Sequence, residues 1–412
     1  MASKEANCHG HNFPEKRLSL RMEPIDFQHR TRLVFGPRTI DRLGELAIQL
    51  GCSRALVVSD PGVVAAGHFQ RGVDALVRSG IQVDAFHGVH ENPSTEDVAA
   101  GVAVAQRCQP DLLIGLGGGS SMDCAKGMNF IYSCGGRMED YWGVGKATGD
   151  MLPMIAVPTT AGTGSEAQSF ALISQQETHV KMACGDPRAA CRIAVLDPEL
   201  TVTQPPRITA LTGIDAVSHA LESYVTLRRN PLSVCYSRQA WQLLSSGLPV
   251  VLQAPGDLEA RSRVQLGAFF AGLAIETSML GAAHALANPL TARFGITHGQ
   301  AVGLMLPQVI CFNGQQVGAW YDELWRDVAH TDLGKSCTGE SATSLLSEFV
   351  TRLVALAGLE TQLQMVGVAE DSIEQLAKDA TSQWTGTFNP RPLSQADFKE
   401  IYQRTYSTRV AS

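Results

Sequence analysis

The sequence lacks the features that mark nucleic-acid-binding, membrane and disulfide-stabilised proteins. Charged residues make up only 18% and aromatic residues 6% of the 412 positions, and the net charge is −7. This balance provides no positive field for nucleic acid or for an anionic membrane. The ten cysteines are scattered and none forms a CxxC pair, which favours reduced thiols. We therefore expect neither nucleic acid nor a membrane as a partner.

The beginning of the chain also lacks the apolar segment of an export signal. We expect a cytoplasmic protein, with residues 1–25 as a flexible tail. A metal site formed by Cys8, His9 and His11 in that tail is the alternative. The longest apolar stretch, residues 264–290, contains several polar side chains and a proline, which would be costly in lipid. It is predicted to form a buried pair of helices.

Two patterns divide the chain near residue 205. Before it, short apolar runs alternate with helical patterns, which predicts a mostly parallel, doubly wound α/β sheet. The predicted strands are residues 55–60, 81–86, 111–116 and 154–157, and the predicted helices are residues 69–79 and 95–108. After Pro205 and Pro206 the helical patterns are residues 214–225, 237–246, 258–277 and 340–357. The sequence predicts an α/β domain over residues 26–205 and an all-α domain over residues 206–412.

The segment after the third predicted strand is rich in glycine. Gly117, Gly118 and Gly119 allow the backbone to turn sharply and to approach a ligand closely. Ser120 and Ser121 are good N-caps for a following helix, whose N-terminus could bind a pyrophosphate. A plain strand-to-helix turn is an equal alternative, because the usual GxGxxG fingerprint is not present.

A second segment of this kind makes nucleotide binding the better interpretation. Thr159, Thr160 and Thr163 lie beside two glycines after the strand at residues 154–157. Ligands of doubly wound sheets bind at the carboxyl ends of strands. Asp60, which ends the first predicted strand, could accept hydrogen bonds from a ribose and so favour NAD over NADP. A helix N-cap is an equal alternative for Asp60.

Four residues of the helical half carry metal-ligand chemistry. Asp215 and His219 are four residues apart, so both project from one face of a helix. His284 lies in a small-residue helical pattern and His298 in a loop between glycines. One carboxylate and three imidazoles suit Fe²⁺ or Zn²⁺. The alternatives are an ordinary polar pair for Asp215 and His219, and a hydrogen-bonded core residue for His284.

Seven motifs in order carry a family resemblance. They are ENPST (residues 91–95), GGGSSMDCAK (117–126), PTTAGTGSE (158–166), GIDAVSHALESYV (213–225), GAAHALANPL (281–290), ITHGQAVGLMLP (296–307) and NPR (389–391). On these motifs the chain resembles the iron-containing, or group III, alcohol dehydrogenases, from about residue 27 to its end.

The resemblance implies a dehydroquinate synthase-like fold, with a Rossmann-like NAD-binding domain, an all-α domain and an active site in the cleft between them. It implies an enzyme that interconverts a primary alcohol and its aldehyde, or a related hydroxy and oxo acid pair, with NAD and Fe²⁺ (or Zn²⁺), as a homodimer or larger assembly. The implied metal ligands are Asp215, His219, His284 and His298. The implied cofactor contacts are Asp60, Asn92, Gly118, Gly119, Ser120, Thr159, Thr160, Thr163 and Lys181.

One position departs from the family pattern. Many members have a second histidine four residues after the third ligand, where this chain has Asn288. The resemblance places Asn288 near the nicotinamide, but an amide cannot act as a base near neutral pH, so no protein base is assigned. Two other functions stay open. One is a dehydroquinate synthase-type lyase, although only Arg293 lies near the metal motifs to bind an anionic substrate. The other is a non-catalytic nucleotide-binding relative.

Overall fold

The computed structural model describes residues 26–178 and 180–406. The predicted flexible tail, with Cys8, His9 and His11, lies outside the described residues. The nine cysteines within them are all free, in agreement with the expected reduced thiols.

The first half of the described chain forms two sheets. Their strands are β1 (Arg32–Phe35), β2 (Arg54–Val58), β3 (Gln82–Phe86), β4 (Leu112–Gly117), β5 (Gly143–Val144), β6 (Met154–Pro158), β7 (Phe170–Ser174), β8 (Lys181–Gly185) and β9 (Ile193–Leu196). Six of them form a parallel sheet in the order β1-β9-β6-β4-β2-β3. The other three form a small sheet in the order β5-β8-β7, in which β7 and β8 are antiparallel. The sequence patterns did not predict this small sheet.

The large sheet is covered on both faces, as parallel sheets require. Every residue of β4 is buried. Leu113 packs in the core on one face of the sheet, while Leu112 and Ile114 pack in the core on the other. Gly115 has no side chain because a Cβ there would lie 3.1 Å from the Cα of Met122. The helix that follows β4 therefore packs directly on the strand.

Helices flank the sheet and make up most of the second half. They are α1 (Leu43–Gln49), α2 (Pro61–Ala65), α3 (His68–Arg78), α4 (Thr95–Cys108), α5 (Gly119–Cys134), α6 (Glu199–Val202), α7 (Pro206–Val225), α8 (Pro231–Gln253), α9 (Leu258–Thr277), α10 (Ala282–Phe294), α11 (His298–Val328), α12 (Asp332–Lys335), α13 (Ala342–Leu356), α14 (Ile373–Ala380) and α15 (Gln395–Tyr406). The parallel sheet with flanking helices, followed by a mostly helical region, confirms the predicted fold class.

The apolar stretch at residues 264–290 falls on α9 and α10, which are largely buried. Among the described residues, no single helix has both the length and the apolar composition to cross a bilayer. Within the same described residues, α9 and α10 have the required length and apolar composition when taken together, and the chain bends by 103° between them.

Three local predictions were wrong. Strand β2 ends at Val58 rather than at residue 60. Asp60 is the N-cap of α2, the alternative given for it above, and accepts from the backbone N–H of Val63 at 3.0 Å. Helix α5 begins at Gly119 with Gly118 as its N-cap, so Ser120 and Ser121 lie inside its first turn. His298 is the first residue of α11 rather than part of a loop. In the first two cases the backbone changes conformation two or three residues earlier than the pattern indicated.

Candidate functional site

The site begins in a crevice at the carboxyl edge of the large sheet. From β2 the chain moves outward to β3, and it then returns to β4 on the opposite side of β2. The carboxyl ends of β2, β4 and β6, at Val58, Gly117 and Pro158, are therefore adjacent. Such a reversal of strand order opens a crevice that binds ligands in doubly wound sheets.

Two glycine loops line this crevice and contact each other. The first glycine loop is residues 117–120 and the second is residues 158–166. The backbone N–H of Thr159 donates to the carbonyl of Gly117 at 2.9 Å. A Cβ on Gly119 would lie 2.7 Å from the methyl carbon of Thr163. A Cβ on Gly118 would lie 3.3 Å from that of Thr160. Glycine is needed at residue 119 because the loops approach so closely, and the N-terminus of α5 stays open to an anion.

Polar side chains extend the crevice on both sides of the first glycine loop. Asp60 accepts a hydrogen bond from the hydroxyl of Ser121 at 3.0 Å. On the other side, the backbone N–H of Asn92 donates to Oγ of Ser120 at 3.2 Å. Lys181 Nζ donates to the amide oxygen of Asn92 at 3.0 Å. Seven of the nine residues of the predicted cofactor set thus lie next to another member, and Asp60 and Thr159 join the first glycine loop through Ser121 and Gly117. That they bind NAD stays a prediction.

A buried lysine, which sequence reasoning missed, joins α5 to the second glycine loop. Lys126 is fully buried, and its ammonium donates to the carbonyls of Ser165 at 2.6 Å, Gln168 at 2.8 Å and Phe170 at 2.9 Å. It also donates to the hydroxyl of Ser165, which in turn donates to the Asp123 carboxylate at 2.6 Å. These contacts fix the end of the second glycine loop against the helix that begins at the first.

The four predicted metal ligands meet beside this crevice, and we call them the Asp–His cluster. Asp215 Oδ1 lies 3.3 Å from His219 Nε2 and 3.6 Å from the Nε2 atoms of both His284 and His298. Donor atoms of Asp215, His284 and His298 all lie within 4.8 Å of one another. His219 stacks on the His284 ring with centroids 5.0 Å apart. Helices α7, α10 and α11 supply these residues.

The charges of the Asp–His cluster interact strongly because three of its residues are buried and His298 is partly buried. Burial favours a raised pKa for Asp215, but His219, His284 and His298 lower it below its ordinary value. Burial lowers the pKa of His298 to about 3, although Asp215 opposes this effect. For His284, the opposing effects of Glu222 and Asp215 outweigh burial and raise the pKa to about 9. The arrangement keeps Asp215 ionised, as a cation site requires.

The second glycine loop contacts the helix that carries two of these ligands. A Cβ on Gly162 would lie 2.6 Å from the carbonyl oxygen of Thr212 in α7. Thr212 precedes Asp215 by less than one helical turn. The crevice and the Asp–His cluster are therefore parts of one site between the sheet and the helices.

Models of two protein families match the chain in succession. Residues 30–198 match iron-containing alcohol dehydrogenase, and residues 209–406 match the C-terminal part of the Fe-containing alcohol dehydrogenase family. The chain belongs to the iron-containing alcohol dehydrogenases. This membership confirms the resemblance inferred from the seven motifs.

Relatives align with this iron-containing alcohol dehydrogenase over almost its full length. A choline dehydrogenase of Bacillus subtilis is 33% identical over 95% of this chain and 98% of its own. A crystal structure of a 1,3-propanediol oxidoreductase has 30% identity and a TM-score of 0.88, covering 93% of this chain and all of that one. The crystal structure of a sulfoacetaldehyde reductase from Bifidobacterium kashiwanohense in complex with NAD⁺ has 26% identity and a TM-score of 0.84. The match covers 94% of this chain and all of that one. The same fold thus serves chemically different substrates in these relatives.

The position that departs from the family pattern, Asn288, lies one turn after His284 on α10. Its amide N–H donates to the side-chain oxygen of Gln383 at 2.9 Å. Both side chains are partly buried. Gln383 could not be found from the sequence, because it lies 95 residues away in a segment without a recognisable motif.

Glu222 is a further residue that sequence reasoning missed. Its carboxylate accepts from His284 Nδ1 at 2.5 Å and from the backbone N–H of Ala283 at 2.6 Å. The hydrogen bond orients the imidazole, so that Nε2 faces Asp215. A signal was present, because Glu222 follows His219 by three residues and Asp215 by seven, which places it on the same face of α7.

Replacing Glu222 by Gln should weaken metal binding by roughly 10- to 100-fold. The change replaces the charged carboxylate that orients the His284 imidazole with a neutral amide. The measurement is iron or zinc content and affinity by competitive chelation. Glu323→Gln is the matched control, since Glu323 accepts from Tyr224 and lies outside the Asp–His cluster. Equal metal affinity in the Glu222 and Glu323 variants would show that Glu222 does not position His284.

Proposed function

We propose that the protein is an NAD-linked, iron-dependent oxidoreductase that interconverts a primary alcohol and its aldehyde, or a related hydroxy and oxo acid pair. The observation that carries the proposal is the Asp–His cluster next to the crevice lined by the two glycine loops. A nucleotide bound in the crevice would have its reactive ring beside the cluster. Family membership supports the same activity.

The Asp–His cluster fits a divalent metal on two observations. Among the described residues, Asp215 Oδ1 and His284 Nε2 are buried without a hydrogen-bond partner. Buried polar atoms of native proteins are normally paired, so these atoms favour a ligand between them. One carboxylate and three imidazoles suit Fe²⁺, with Zn²⁺ as the alternative. We propose Asp215, His219, His284 and His298 as the metal ligands.

The residues of this chain bind and orient the substrate and the cofactor and exclude water from the site, while the bound metal and NAD supply the chemistry. The metal, when bound, supplies Lewis-acid chemistry to a substrate oxygen, and NAD carries the hydride. Gly118, Gly119 and the N-terminus of α5 would hold the pyrophosphate. Asn288 would lie near the nicotinamide, and its amide is oriented by Gln383. An amide can donate or accept a hydrogen bond but cannot take the proton, so the proton leaves by another route.

Asp60 sets the preference for NAD in this proposal. Its carboxylate lies at the first glycine loop, since a Cβ on Gly117 would be 2.9 Å from Asp60 Oδ2. Asp60→Asn keeps an oxygen to cap α2 but removes the charge that repels a 2′-phosphate. We expect the ratio of kcat/KM for NADPH over NADH to rise by about tenfold. Steady-state kinetics with both cofactors measures it, with Asp74→Asn, on the exposed face of α3, as the control. An unchanged ratio would remove Asp60 from cofactor selection.

The lyase alternative requires cationic groups for a highly anionic substrate. Arg293, the arginine nearest to the metal motifs in sequence, is exposed and forms an ion pair with Asp379. This pairing makes it a surface arginine and disfavours the lyase. We further propose a division into domains at residues 205 and 206, an assembly of two or more copies, and a cytoplasmic location, each on the same grounds as the sequence prediction.

Removal and restoration of metal tests the proposed function. The purified protein is stripped of metal, reloaded with Fe²⁺ without oxygen or with Zn²⁺, and assayed by NADH absorbance with alcohols and aldehydes of graded length and charge. We expect turnover only after metal is restored. Metal binding without NADH formation from any alcohol would favour the lyase, and a protein that binds NAD but no metal would favour the non-catalytic relative.

A further inference from the structure

A cavity separate from the crevice lies in the helical region, at the N-terminal end of α7. It has a volume of 310 Å³, within the range of small-molecule sites. The starts of α7 and α9, the ends of α8 and α13 and Pro255 form its wall. We call it the α7 cavity. Its apolar lining includes Val251, Leu252 and Leu356, and its cationic lining is Arg207 and Arg261.

Arg261 is a buried charge without a counterion. It is 2% exposed, and burial alone lowers its pKa from the ordinary value. Its guanidinium donates to the carbonyl of Pro255 at 2.9 Å and to the hydroxyl of Thr209 at 3.1 Å. Nη2 is buried and has no partner among the described residues. Burying an unpaired charge is costly, so the wall of the α7 cavity carries a cation that calls for an anion.

The other groups near the α7 cavity also favour a negatively charged ligand. Neither Arg207 nor Arg261 forms an ion pair with any carboxylate in the described part of the chain. Asp257, which caps α9, does not line the cavity. Helix α7 has 20 residues and begins at Pro206 in the cavity wall. Pro205 at its N-cap offers no side-chain hydrogen bond, so the free N–H groups of the first turn also favour an anion.

We propose that the α7 cavity binds a small organic anion, with a carboxylate or phosphate head group against Arg207, Arg261 and the start of α7. An apolar part of the ligand packs on Leu252 and Leu356. This site is separate from the crevice and the Asp–His cluster. Helix α7 connects it to the Asp–His cluster, and Thr209 precedes Asp215 by about 9 Å along the helix axis.

Calorimetric titration of the intact, metal-loaded protein tests the proposal with two probes, inorganic phosphate and hexanoate. Arg207→Ala is the main variant, because Arg207 is exposed and its loss leaves the core intact. Arg263→Ala is the control, since Arg263 is a partly exposed arginine of α9 that pairs with Glu259 and does not line the cavity. Leu252→Trp reduces the volume of the cavity. NADH binding is measured in each variant as a check on the crevice.

We expect saturable binding of at least one probe to the wild type and to Arg263→Ala. Binding should weaken by about tenfold in Arg207→Ala and also in Leu252→Trp, with NADH affinity unchanged. Binding of phosphate alone would identify a phosphoryl head group, and binding of hexanoate alone a carboxylate with an apolar chain. The proposal is overturned if neither probe saturates the wild type, or if Arg207→Ala and Leu252→Trp bind as tightly as the wild type, which would place the anion in the active site.

Discussion

His284→Ala should lower turnover by orders of magnitude and release the metal while NAD binding survives. The imidazole lies 3.6 Å from Asp215 Oδ1 and belongs to the group of donor atoms within 4.8 Å of one another. Without it a metal loses one of four ligands, and Glu222 and Asp215 are left as buried carboxylates without their shared partner. Metal ions contribute several kcal/mol of charge stabilisation in the transition state, which corresponds to roughly 10²- to 10⁴-fold in kcat.

Three measurements separate this result from a folding defect. Metal content by mass spectrometry should fall, NADH titration by fluorescence should give the wild-type affinity, and circular dichroism should be unchanged. Asn288→Ala is the matched control, because it removes a polar side chain one turn further along the same helix and should retain the metal. Wild-type turnover in His284→Ala would exclude His284 as a required ligand.

Lys126→Met should destabilise the protein and weaken NADH binding together. The change removes an ammonium that donates to three backbone carbonyls between Ser165 and Phe170. It leaves these carbonyls without their donor, and it removes the positive charge near the buried carboxyl of Asp123. Each unsatisfied buried group costs about 1–3 kcal/mol, so we expect a loss of roughly 3 kcal/mol or more. The second glycine loop should lose its fixed position, because its end is held by these contacts.

The measurements for Lys126→Met are the melting temperature and the dissociation constant for NADH. Lys146→Met removes the same charge at an exposed position and should leave both unchanged. Hydrogen exchange of residues 163–170 reports on the end of the loop itself. In Lys126→Met this exchange should become faster before exchange in the strands of the large sheet does. A variant that melts and binds NADH like the wild type would show that the second glycine loop is fixed by other contacts.

Much of the fold could be predicted because its elements carry strong local patterns. Helices α4 and α9 have the predicted bounds, and β4 and β6 agree to within one residue at each end. The small sheet of β5, β7 and β8 was missed for a physical reason. Its strands are short and β5 contains two residues. Burial alternates along β7, but its sequence does not show the alternation because the exposed Leu172 is apolar. β7 and β8 are neighbours in the chain, but β5 pairs with β8 from a distant segment, and a local pattern does not contain that information.

The candidate site divides in the same way. Asp215 and His219 share a helix, so their spacing alone placed them on one face. Lys126 and Glu222 lay in motifs that were recognised, but their roles depend on partners 39 to 62 residues away. A buried lysine that binds backbone carbonyls has no sequence signature of its own, because its acceptors are carbonyl groups that every residue carries. Gln383 had no signal either, because it lies 95 residues from Asn288 in a segment without a recognisable motif.

Helix α7 has several tasks within its 20 residues. Its start borders the α7 cavity, Thr212 touches the second glycine loop, Asp215 and His219 belong to the Asp–His cluster, and Glu222 orients His284. A substitution that displaces α7 as a whole should therefore be pleiotropic and alter cofactor affinity, metal retention and anion binding at once, whereas a surface change such as Arg207→Ala should not. A laboratory evolution experiment that selects for a new substrate should accumulate few changes in α7. Its changes should instead collect on segments with a single task, such as the one that contains Gln383.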